Sequence, residues 1–326
     1  MSKVNLNSMT IDFDDSAPVM VPSPRHSSAG TPEVRQGPDL CFMSLGSGSS
    51  GNSAYLGTRD SGIIIDAGIN PKTALPELAR NGITPEKIVG ILLTHDHQDH
   101  VRYIFAWLRA LRHAQVFCTP RLMSGMLRKH SVQRRIKDYQ RPIYKEMPFK
   151  VAGMEITAFD TSHDASDNMG FSIETNHGRF VVTTDTGVIT ERAAHYMRGA
   201  NFLMIECDYD DVLLEHSHYT EMLKDRIRGP RGHLKNEDAA RFVASIYSRK
   251  LTHVFLCHLS RDNNSPELAV EVMSNALCAC RVPDEDTPQG SRFVTVGDGT
   301  NAIDQRDRDV QVYALPRFDS SLWFIL

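Results

Sequence analysis

The sequence predicts a mixed α/β fold in which helices cover β-sheets that are not purely parallel. Short apolar runs of strand length alternate with segments whose apolar residues recur at helical spacing. In addition, two predicted strands are joined by Asn176-His177-Gly178, which is typical of a hairpin turn and therefore of antiparallel neighbours. At 326 residues the chain can bury a substantial core, either in one large domain or in two ordinary ones.

The predicted elements follow one another from Leu40 onward. Apolar runs bounded by Gly and Ser turns predict strands at residues 40–45, 53–56, 63–66, 88–93, 155–160, 170–174, 180–184, 202–206 and 253–258. Apolar residues at helical spacing predict helices at 101–111, at 237–248 after an Asn236 cap, and at 266–277 after a Ser265 cap.

The two ends of the chain differ from the middle in composition. Residues 1–38 are rich in Ser, Pro, Asp and Gly without a sustained apolar period, so we expect a disordered N-terminal tail. Residues 39–280 hold the predicted elements and form the expected folded domain. Residues 281–326 form a C-terminal extension whose apolar end could supply one added strand or a partner-binding tail.

The sequence also limits the cellular compartments in which we expect the protein. No apolar run is long enough to span a membrane, and the N-terminus carries Asp12, Asp14 and Asp15 where a signal peptide needs basic and then apolar residues. We therefore expect a cytoplasmic protein that does not bind membranes. The six cysteines are scattered, several of them in apolar runs, which is typical of reduced, buried thiols.

One segment carries most of the chemical information, namely Thr94-His95-Asp96-His97-Gln98-Asp99-His100. It places three imidazoles and two carboxylates on a loop that follows a predicted buried strand, so their side chains can converge on two neighbouring cations. His95 and His97 alternate and therefore project to the same side of an extended segment. Asp99 and His100 can then turn toward a second ion.

Three further candidates lie where predicted strands end. His163 follows the strand at 155–160, Asp185 follows the strand at 180–184, and His258 closes the strand at 253–258. Each residue alone is a weak signal, but strand ends that meet at one sheet edge bring such side chains together. A carboxylate at the end of an apolar strand, such as Asp185, is suited to bridging two ions.

This pattern resembles the metallo-β-lactamase superfamily, whose signature is His-x-His-x-Asp-His followed by a His, a bridging Asp and a last His. The resemblance covers roughly residues 40–277 and implies a four-layer αββα sandwich, a hydrolase domain at 39–280, and a dinuclear site at one edge. It implies that His95, His97 and His163 hold one metal, that Asp99, His100 and His258 hold the other, and that Asp185 bridges them. β-Lactamases of this fold lack the carboxylate bridge, so an antibiotic-cleaving role is disfavoured.

Two cations at this spacing imply hydrolysis by a metal-bridging hydroxide, with Asp99 as the candidate residue that orients this nucleophile. The imidazole-rich ligands favour Zn2+, and the carboxylates leave Mn2+ as an alternative. The same chemistry would serve a phosphoryl or an acyl centre, so the metal motif alone does not identify the substrate.

Further motifs resemble the WalJ/YycJ (VicX) subfamily: the stretch at residues 44–53, Thr184-Asp185-Thr186-Gly187, Gly232-His233-Leu234 and His258-Leu259-Ser260. This resemblance implies a phosphodiesterase, specifically an exonuclease that acts on duplex DNA from the 5' end. The chain departs from the subfamily pattern at Tyr209, where a histidine is common, and at Lys235, where a serine is common.

Charge gives independent support for a nucleic-acid partner, and the resemblance implies DNA rather than RNA. Between Arg102 and Lys145 there are eleven basic residues and one acidic residue, although acids outnumber bases in the whole chain, 40 to 36. Such a stretch beside the segment at residues 94–100, which we call the metal loop, is suited to binding the phosphate backbone. The candidate substrate contacts are Ser49, Ser50, Asn52, Arg134, Arg135, Arg231 and His233, and His233 is also a candidate proton donor.

Two other functions remain open at this point. A small-molecule hydrolase of the same fold would cleave a thioester, a lactone or a cyclic phosphodiester, but it gives no reason for the basic stretch. A non-catalytic metal-binding regulatory protein would use the tails to bind partners, but it gives no reason for a complete ligand set.

Overall fold

The computed structural model describes residues 37–130, 134–280, 294–297 and 310–326, and within them two mixed sheets pack face to face. The first sheet has the strand order β15-β1-β2-β3-β4-β5-β6. Its strands are β1 (Cys41–Gly46), β2 (Ser53–Gly57), β3 (Gly62–Ile65), β4 (Ile88–Leu92), β5 (Gln115–Cys118), β6 (Gln140–Pro142) and β15 (Phe324–Ile325).

The second sheet has the order β13-β14-β12-β11-β10-β9-β8-β7. Its strands are β7 (Phe149–Val151), β8 (Met154–Asp160), β9 (Met169–Thr175), β10 (Gly178–Thr183), β11 (Phe202–Glu206), β12 (His253–Cys257), β13 (Val294–Gly297) and β14 (Val310–Ala314). Strands β9 and β10 form the predicted antiparallel hairpin, whereas β10, β11 and β12 are parallel neighbours.

Nine helices and two short 3₁₀ helices lie within the described residues. The helices are α1 (Pro71–Arg80), α2 (Gln98–Val101), α3 (Ile104–Ala110), α4 (Pro120–Lys129), α5 (Glu191–Met197), α6 (Asp211–His216), α7 (Glu221–Arg228), α8 (Asn236–Ile246) and α9 (Pro266–Cys280), and the 3₁₀ helices are Pro85–Lys87 and Arg134–Tyr139.

Two helix predictions need correction. The helix predicted at 101–111 is divided into α2 and α3, because the Tyr103 N–H donates to the Ala67 carbonyl instead of continuing the helical pattern. Asn236 does not cap α8 but is its first residue, and Lys235 occupies the cap position. The Ser265 cap is confirmed, since its hydroxyl accepts a hydrogen bond from the Leu268 N–H at 3.2 Å.

The core explains how the sheets and helices associate. Phe42 on β1 lies 5.1 Å from Phe180 on β10 and 4.6 Å from Phe255 on β12, measured between ring centroids, so the two sheets bury their facing sides against each other. A second apolar cluster joins the outer side of the second sheet to α5, α8 and α9. The predicted four-layer αββα sandwich is confirmed.

The C-terminal segment takes part in both sheets. Strand β14 pairs with β12, and β15 pairs with β1, so residues 310–314 and 324–325 add strands to the core. The predicted domain limits at 38/39 and 280/281 stay predictions, and the predicted tail lies almost entirely outside the described residues. Among the helices that the structure describes, none is both long and apolar enough to cross a lipid bilayer.

Close backbone packing fixes the loop that follows β4. The Ala67 N–H donates to the His100 carbonyl at 2.7 Å, and the Asn52 N–H donates to the Asp99 carbonyl at 2.8 Å. Gly68 completes this contact, because a Cβ atom at residue 68 would lie 1.6 Å from the Asp99 carbonyl oxygen. Only glycine allows the loops after β3 and β4 to approach so closely.

We therefore expect Gly68→Ala to displace α2, which carries Asp99 and His100. The free energy of unfolding should fall by at least about 2 kcal/mol, since the loop backbone must move. Urea denaturation would measure the loss. Gly153→Ala is the matched control: Gly153 has a φ of +77° and open space around it, so only backbone strain of about 1 kcal/mol applies. Equal losses in the two variants would contradict this account of Gly68.

Candidate metal centre

The candidate ligands lie at the carboxyl ends of strands from both sheets. His95 follows β4, His163 follows β8, Asp185 follows β10 and His258 follows β12. Because β10, β11 and β12 are parallel, their carboxyl ends meet at one edge, and the β4 loop of the facing sheet lies against it. The topology thus brings together residues that are more than 160 positions apart in the chain.

The first group of ligand atoms belongs to His95, His97, His163 and Asp185, and these atoms lie within 4.8 Å of one another. The Nε2 atoms of His95 and His163 are 3.6 and 3.7 Å from the Asp185 Oδ2 atom. The His97 Nδ1 atom lies 3.1 Å from the His163 Nε2 atom. His95, His163 and Asp185 are buried, whereas 26% of the His97 side chain is exposed.

The second group belongs to Asp99, His100, His258 and again Asp185. The His100 Nε2 atom lies 3.4 Å from both the Asp99 Oδ2 and the Asp185 Oδ1 atoms. The His258 Nε2 atom lies 3.3 Å from Asp99 Oδ2 and 3.5 Å from Asp185 Oδ2. Asp185 therefore faces both groups, in the position that a bridging ligand needs.

The donor set fits two divalent metal ions. The His95 Nε2 atom is buried and has no hydrogen-bond partner among the described residues, although it faces the other ligand atoms. Burial lowers the pKa of His95 well below its usual value and lowers that of His97 to about 4, which favours the neutral imidazole that binds a metal. Imidazole nitrogens with carboxylate oxygens are the ligands of dinuclear hydrolases.

Outer hydrogen bonds orient the imidazoles. The His163 Nδ1 atom lies 2.8 Å from the Gly232 carbonyl oxygen, which leaves its Nε2 atom directed at the ligand group. The His100 Nδ1 atom lies 2.7 Å from the Asp66 Oδ2 atom, and Asp66 also accepts from the N–H of Thr94 at 2.9 Å. Such partners fix the tautomer and the ring orientation of metal ligands.

Sequence analysis missed Asp66. A signal was present, because Asp66 closes the predicted strand at 63–66 just as Asp185 follows the strand at 180–184. Asp66, Asp185 and His258 also share a left-handed backbone, with φ values of 60°, 48° and 55°. This conformation costs a non-glycine residue about 1–2 kcal/mol, so the surrounding structure stabilises it at three places in one site.

His233 lies beside the second group and is held by Glu206, which sequence analysis also missed. The His233 Nδ1 atom is 2.7 Å from Glu206 Oε1, and the rings of His233 and His258 stack at 5.2 Å. Glu206 is fully buried and accepts through Oε2 from the N–H groups of Thr186 and Leu234. Burial lowers the pKa of His233, but the carboxylates of Asp208 and Glu206 outweigh it and raise this pKa to about 9.

Of the predicted substrate contacts, some lie beside the candidate ligands, whereas Arg134 and Arg135 lie away from them. Asn52 is buried, and its Nδ2 atom lies 3.2 Å from Asp99 Oδ2 and 3.0 Å from His100 Nε2. Arg231 donates twice to the His163 carbonyl at 3.2 Å, so its exposed guanidinium is anchored beside the first group. Ser49 and Ser50 are exposed in the turn before Asn52. Arg134 and Arg135 are exposed on the second 3₁₀ helix and contact none of the ligands.

The two departures from the subfamily pattern adjoin each other. Tyr209 and Lys235 form an isolated parallel bridge, and the Tyr209 ring is buried against Leu214 and Ile227. Neither residue belongs to a ligand group. A ring at position 209 therefore packs into a small apolar cluster in this chain.

Comparisons with known proteins agree with this geometry. The β-lactamase superfamily domain matches residues 62–258. Exodeoxyribonuclease YycJ of Bacillus anthracis is 32% identical over 239 residues, which are 73% of this chain and 89% of that protein. Exodeoxyribonuclease WalJ of Streptococcus pneumoniae is 32% identical over 237 residues, which are 72% of this chain and 87% of that protein.

A solved structure supports the fold. The metallo-β-lactamase fold protein YhfI of Bacillus subtilis aligns over 88% of this chain and 99% of its own, with a TM-score of 0.58 and 13% identity. At that identity the likeness concerns the fold alone.

We expect Asp66→Asn to weaken the metal affinity of the second group by about ten- to a hundred-fold, because His100 loses its carboxylate partner. Metal content after dialysis against a graded chelator series would measure it. Asp96→Asn is the matched control. Asp96 is a buried carboxylate on the loop after β4, but its Oδ1 atom bonds to Lys129 and to the Ser166 N–H, not to a ligand. An unchanged affinity in Asp66→Asn would show that Asp66 does not support the site.

Proposed function

This chain belongs to the metallo-β-lactamase superfamily, and we propose that within it the chain is a dinuclear-metal-dependent exonuclease that degrades DNA from the 5' end. The observation that carries the proposal is the Asp185 carboxylate, which faces two complete sets of ligand atoms. Similarity to YycJ and WalJ, both named exodeoxyribonucleases, supports DNA as the substrate. The metals that we propose are two Zn2+ ions, because five of the seven ligands are imidazoles, with Mn2+ as the alternative.

The two ligand groups would hold two divalent cations, which when bound would supply polarisation of a phosphoryl oxygen and a water that is nucleophilic near neutral pH. We assign the orientation of that water to Asp99, since 17% of its side chain is exposed while the ligands around it are buried. Asn52 supports this assignment, because its amide donates to the Asp99 Oδ2 atom and restrains the carboxylate.

The residues of the chain also supply a proton for the leaving group. We assign this role to His233, whose Nε2 atom is free to donate because Nδ1 is bound to Glu206. With 17% of its side chain exposed, His233 reaches solvent and therefore substrate, whereas Glu206 is fully buried and acts as a positioning residue. A sugar alkoxide is a poor leaving group, so cleavage of DNA benefits from such a proton donor.

The basic stretch supports a polymer over a small molecule. Of its eleven cations, Lys129 and Lys145 pair with carboxylates of the described residues, at distances of 3.1 Å for Lys129 to Asp96 and 2.6 Å for Lys145 to Asp167. Most of the others are exposed. A thioester, a lactone or a cyclic phosphodiester would leave these charges without a ligand, whereas a phosphate backbone neutralises them.

The first test is degradation of end-labelled duplex DNA and of RNA, with bis(p-nitrophenyl) phosphate as a generic diester. We expect metal-dependent degradation of duplex DNA, and Asp185→Asn should lower its rate by at least about a thousand-fold because both ligand groups lose the shared carboxylate. Asp160→Asn, a carboxylate whose side chain is 65% exposed and outside the ligand groups, is the control. Cleavage of the generic diester with both polymers intact would refute the nuclease, and degradation of RNA alone would refute DNA as the substrate.

A second test addresses His233. We expect His233→Ala to lower kcat on DNA by about a hundred- to ten-thousand-fold, because the alkoxide then leaves without a proton. On bis(p-nitrophenyl) phosphate the loss should be under about ten-fold, since p-nitrophenolate leaves without protonation. His216→Ala, at the exposed end of α6, is the control, and metal content should match the wild type. Equal losses on both substrates would assign His233 to phosphate binding instead of proton transfer.

A further inference from the structure

A cationic groove lies between α4 and the second 3₁₀ helix, on the flank of the metal loop. It has a volume of about 530 Å³ and is lined by Ser124, Leu127, Arg128, Arg134 and Lys137. Three of the five lining residues are cations, and none is acidic. The groove contains no ligand of the metal centre, so it is a separate surface feature.

Local structure explains why the cations face the same space. In α4, Leu122, Met123 and Met126 are buried, which leaves the face of Ser124 and Arg128 exposed, four residues apart. In the 3₁₀ helix, the buried side chain of Ile136 anchors the segment. Residues three apart in a 3₁₀ helix eclipse each other, so Arg134 and Lys137 project on one side.

The part of the chain that the structure describes does not neutralise the three cations. Among the described residues, no carboxylate forms an ion pair with Arg128, Arg134 or Lys137. The adjacent Lys129 behaves differently, because its Nζ atom lies 3.1 Å from Asp96 Oδ1. A groove with unpaired cations repels its own charges, and an anion that enters it relieves this repulsion.

The groove is also fixed relative to the metal loop. Three contacts attach the end of α4 to that loop: Lys129 pairs with Asp96, the His130 Nε2 atom lies 2.5 Å from the Asp96 carbonyl oxygen, and the His130 Nδ1 atom lies 2.9 Å from the Gln98 Nε2 atom. Asp96 and Gln98 alternate with the ligands His95, His97 and Asp99. A polymer held in the groove would therefore keep a constant relation to the metal centre.

We propose that this groove binds the phosphodiester backbone of the nucleic acid at a position away from the bond that is cleaved. The guanidinium groups of Arg128 and Arg134 and the ammonium group of Lys137 contact phosphate oxygens, and the Ser124 hydroxyl donates to one of them. Leu127 is the one apolar lining residue, so the groove binds backbone without stacking a base. This inference rests on the proposed function, because it takes the polymer to be the substrate.

Of the two arginines at 134 and 135 that the sequence predicts as substrate contacts, the groove contains one. Arg134 lines the groove, whereas Arg135 is exposed beside it and is not among the lining residues. Arg128 and Lys137, which had no assigned role, complete the set. The contacts are to phosphate, so the groove should hold different sequences equally well.

The test is salt-dependent binding of a phosphorothioate duplex to the metal-loaded protein. For R128A/R134A/K137A we expect Kd to rise at least about ten-fold, and the slope of log K against log salt to fall in magnitude by about two to three, near 0.9 for each lost phosphate contact. The ratio of kcat/KM on DNA to that on bis(p-nitrophenyl) phosphate should fall at least about ten-fold, through KM. The conservative variant R128K/R134K/K137R should restore most of the binding.

The control R80A/K150A/R241A removes the same charge from exposed side chains that pair with carboxylates on α1, β8 and α8. If the control variant shows the same rise in Kd and the same fall in the salt slope as the groove variant, net charge explains the effect and the groove is refuted. If the groove variant binds like the wild type, the inference fails although DNA degradation stands. A wild type that binds duplex but degrades no polymer refutes the nuclease instead, and the salt slopes still decide the groove.

Discussion

The carboxylate of Asp185 is the group on which the rest of this structure depends. Its two oxygens lie 3.4 to 3.7 Å from nitrogens of His95, His100, His163 and His258, and the side chain is almost fully buried. An isolated buried carboxylate costs several kcal/mol unless positive charge lies beside it. Burial would raise the pKa of Asp185, but His258 and His100, whose own pKa values are raised well above the usual value, hold it well below its usual range. Metal cations bound by the same nitrogens would replace these protons, so we infer that metal binding releases protons and is coupled to the stability of the strand ends.

The backbone conformation also positions the candidate ligands. Asp66, Asp185 and His258 leave their strands through the left-handed region, and the side chains of Asp185 and His258 lie in the ligand groups while that of Asp66 contacts His100. Gly187 then packs against the loop that leads to His233, where a Cβ atom would lie 2.4 Å from the Gly229 carbonyl oxygen. Strain and close packing of this kind hold ligands in place before a metal or a substrate arrives. They also make the loops around the site intolerant of small changes in volume.

The sequence predicted the strands, and the clustering of the seven candidate ligands, better than the helices and outer contacts. Strands such as β11 are continuous apolar runs whose ends coincide with a change to polar residues, so their limits are visible. Helices α1, α6 and α7 were not predicted, because their apolar faces are short and exposed residues dominate them. Asp66 and Glu206 were missed since each acts through another residue, and only the tertiary fold shows His100 and His233 beside them.

Charge at the metal centre explains why a polymer needs binding sites elsewhere on the protein. Asp99 and Asp185 are candidate ligands themselves, and Asp66, Asp164, Glu206 and Asp208 lie 2.7 to 3.5 Å from imidazole nitrogens of other candidate ligands. Two divalent cations would not outweigh these six carboxylates, so the centre would offer little net attraction for a polyanion. Long-range attraction must then come from residues outside the centre, in a chain whose formal charge is -4. The basic stretch concentrates cations on the flank of the metal loop, so that the acidic remainder of the surface disfavours other orientations of a phosphate backbone.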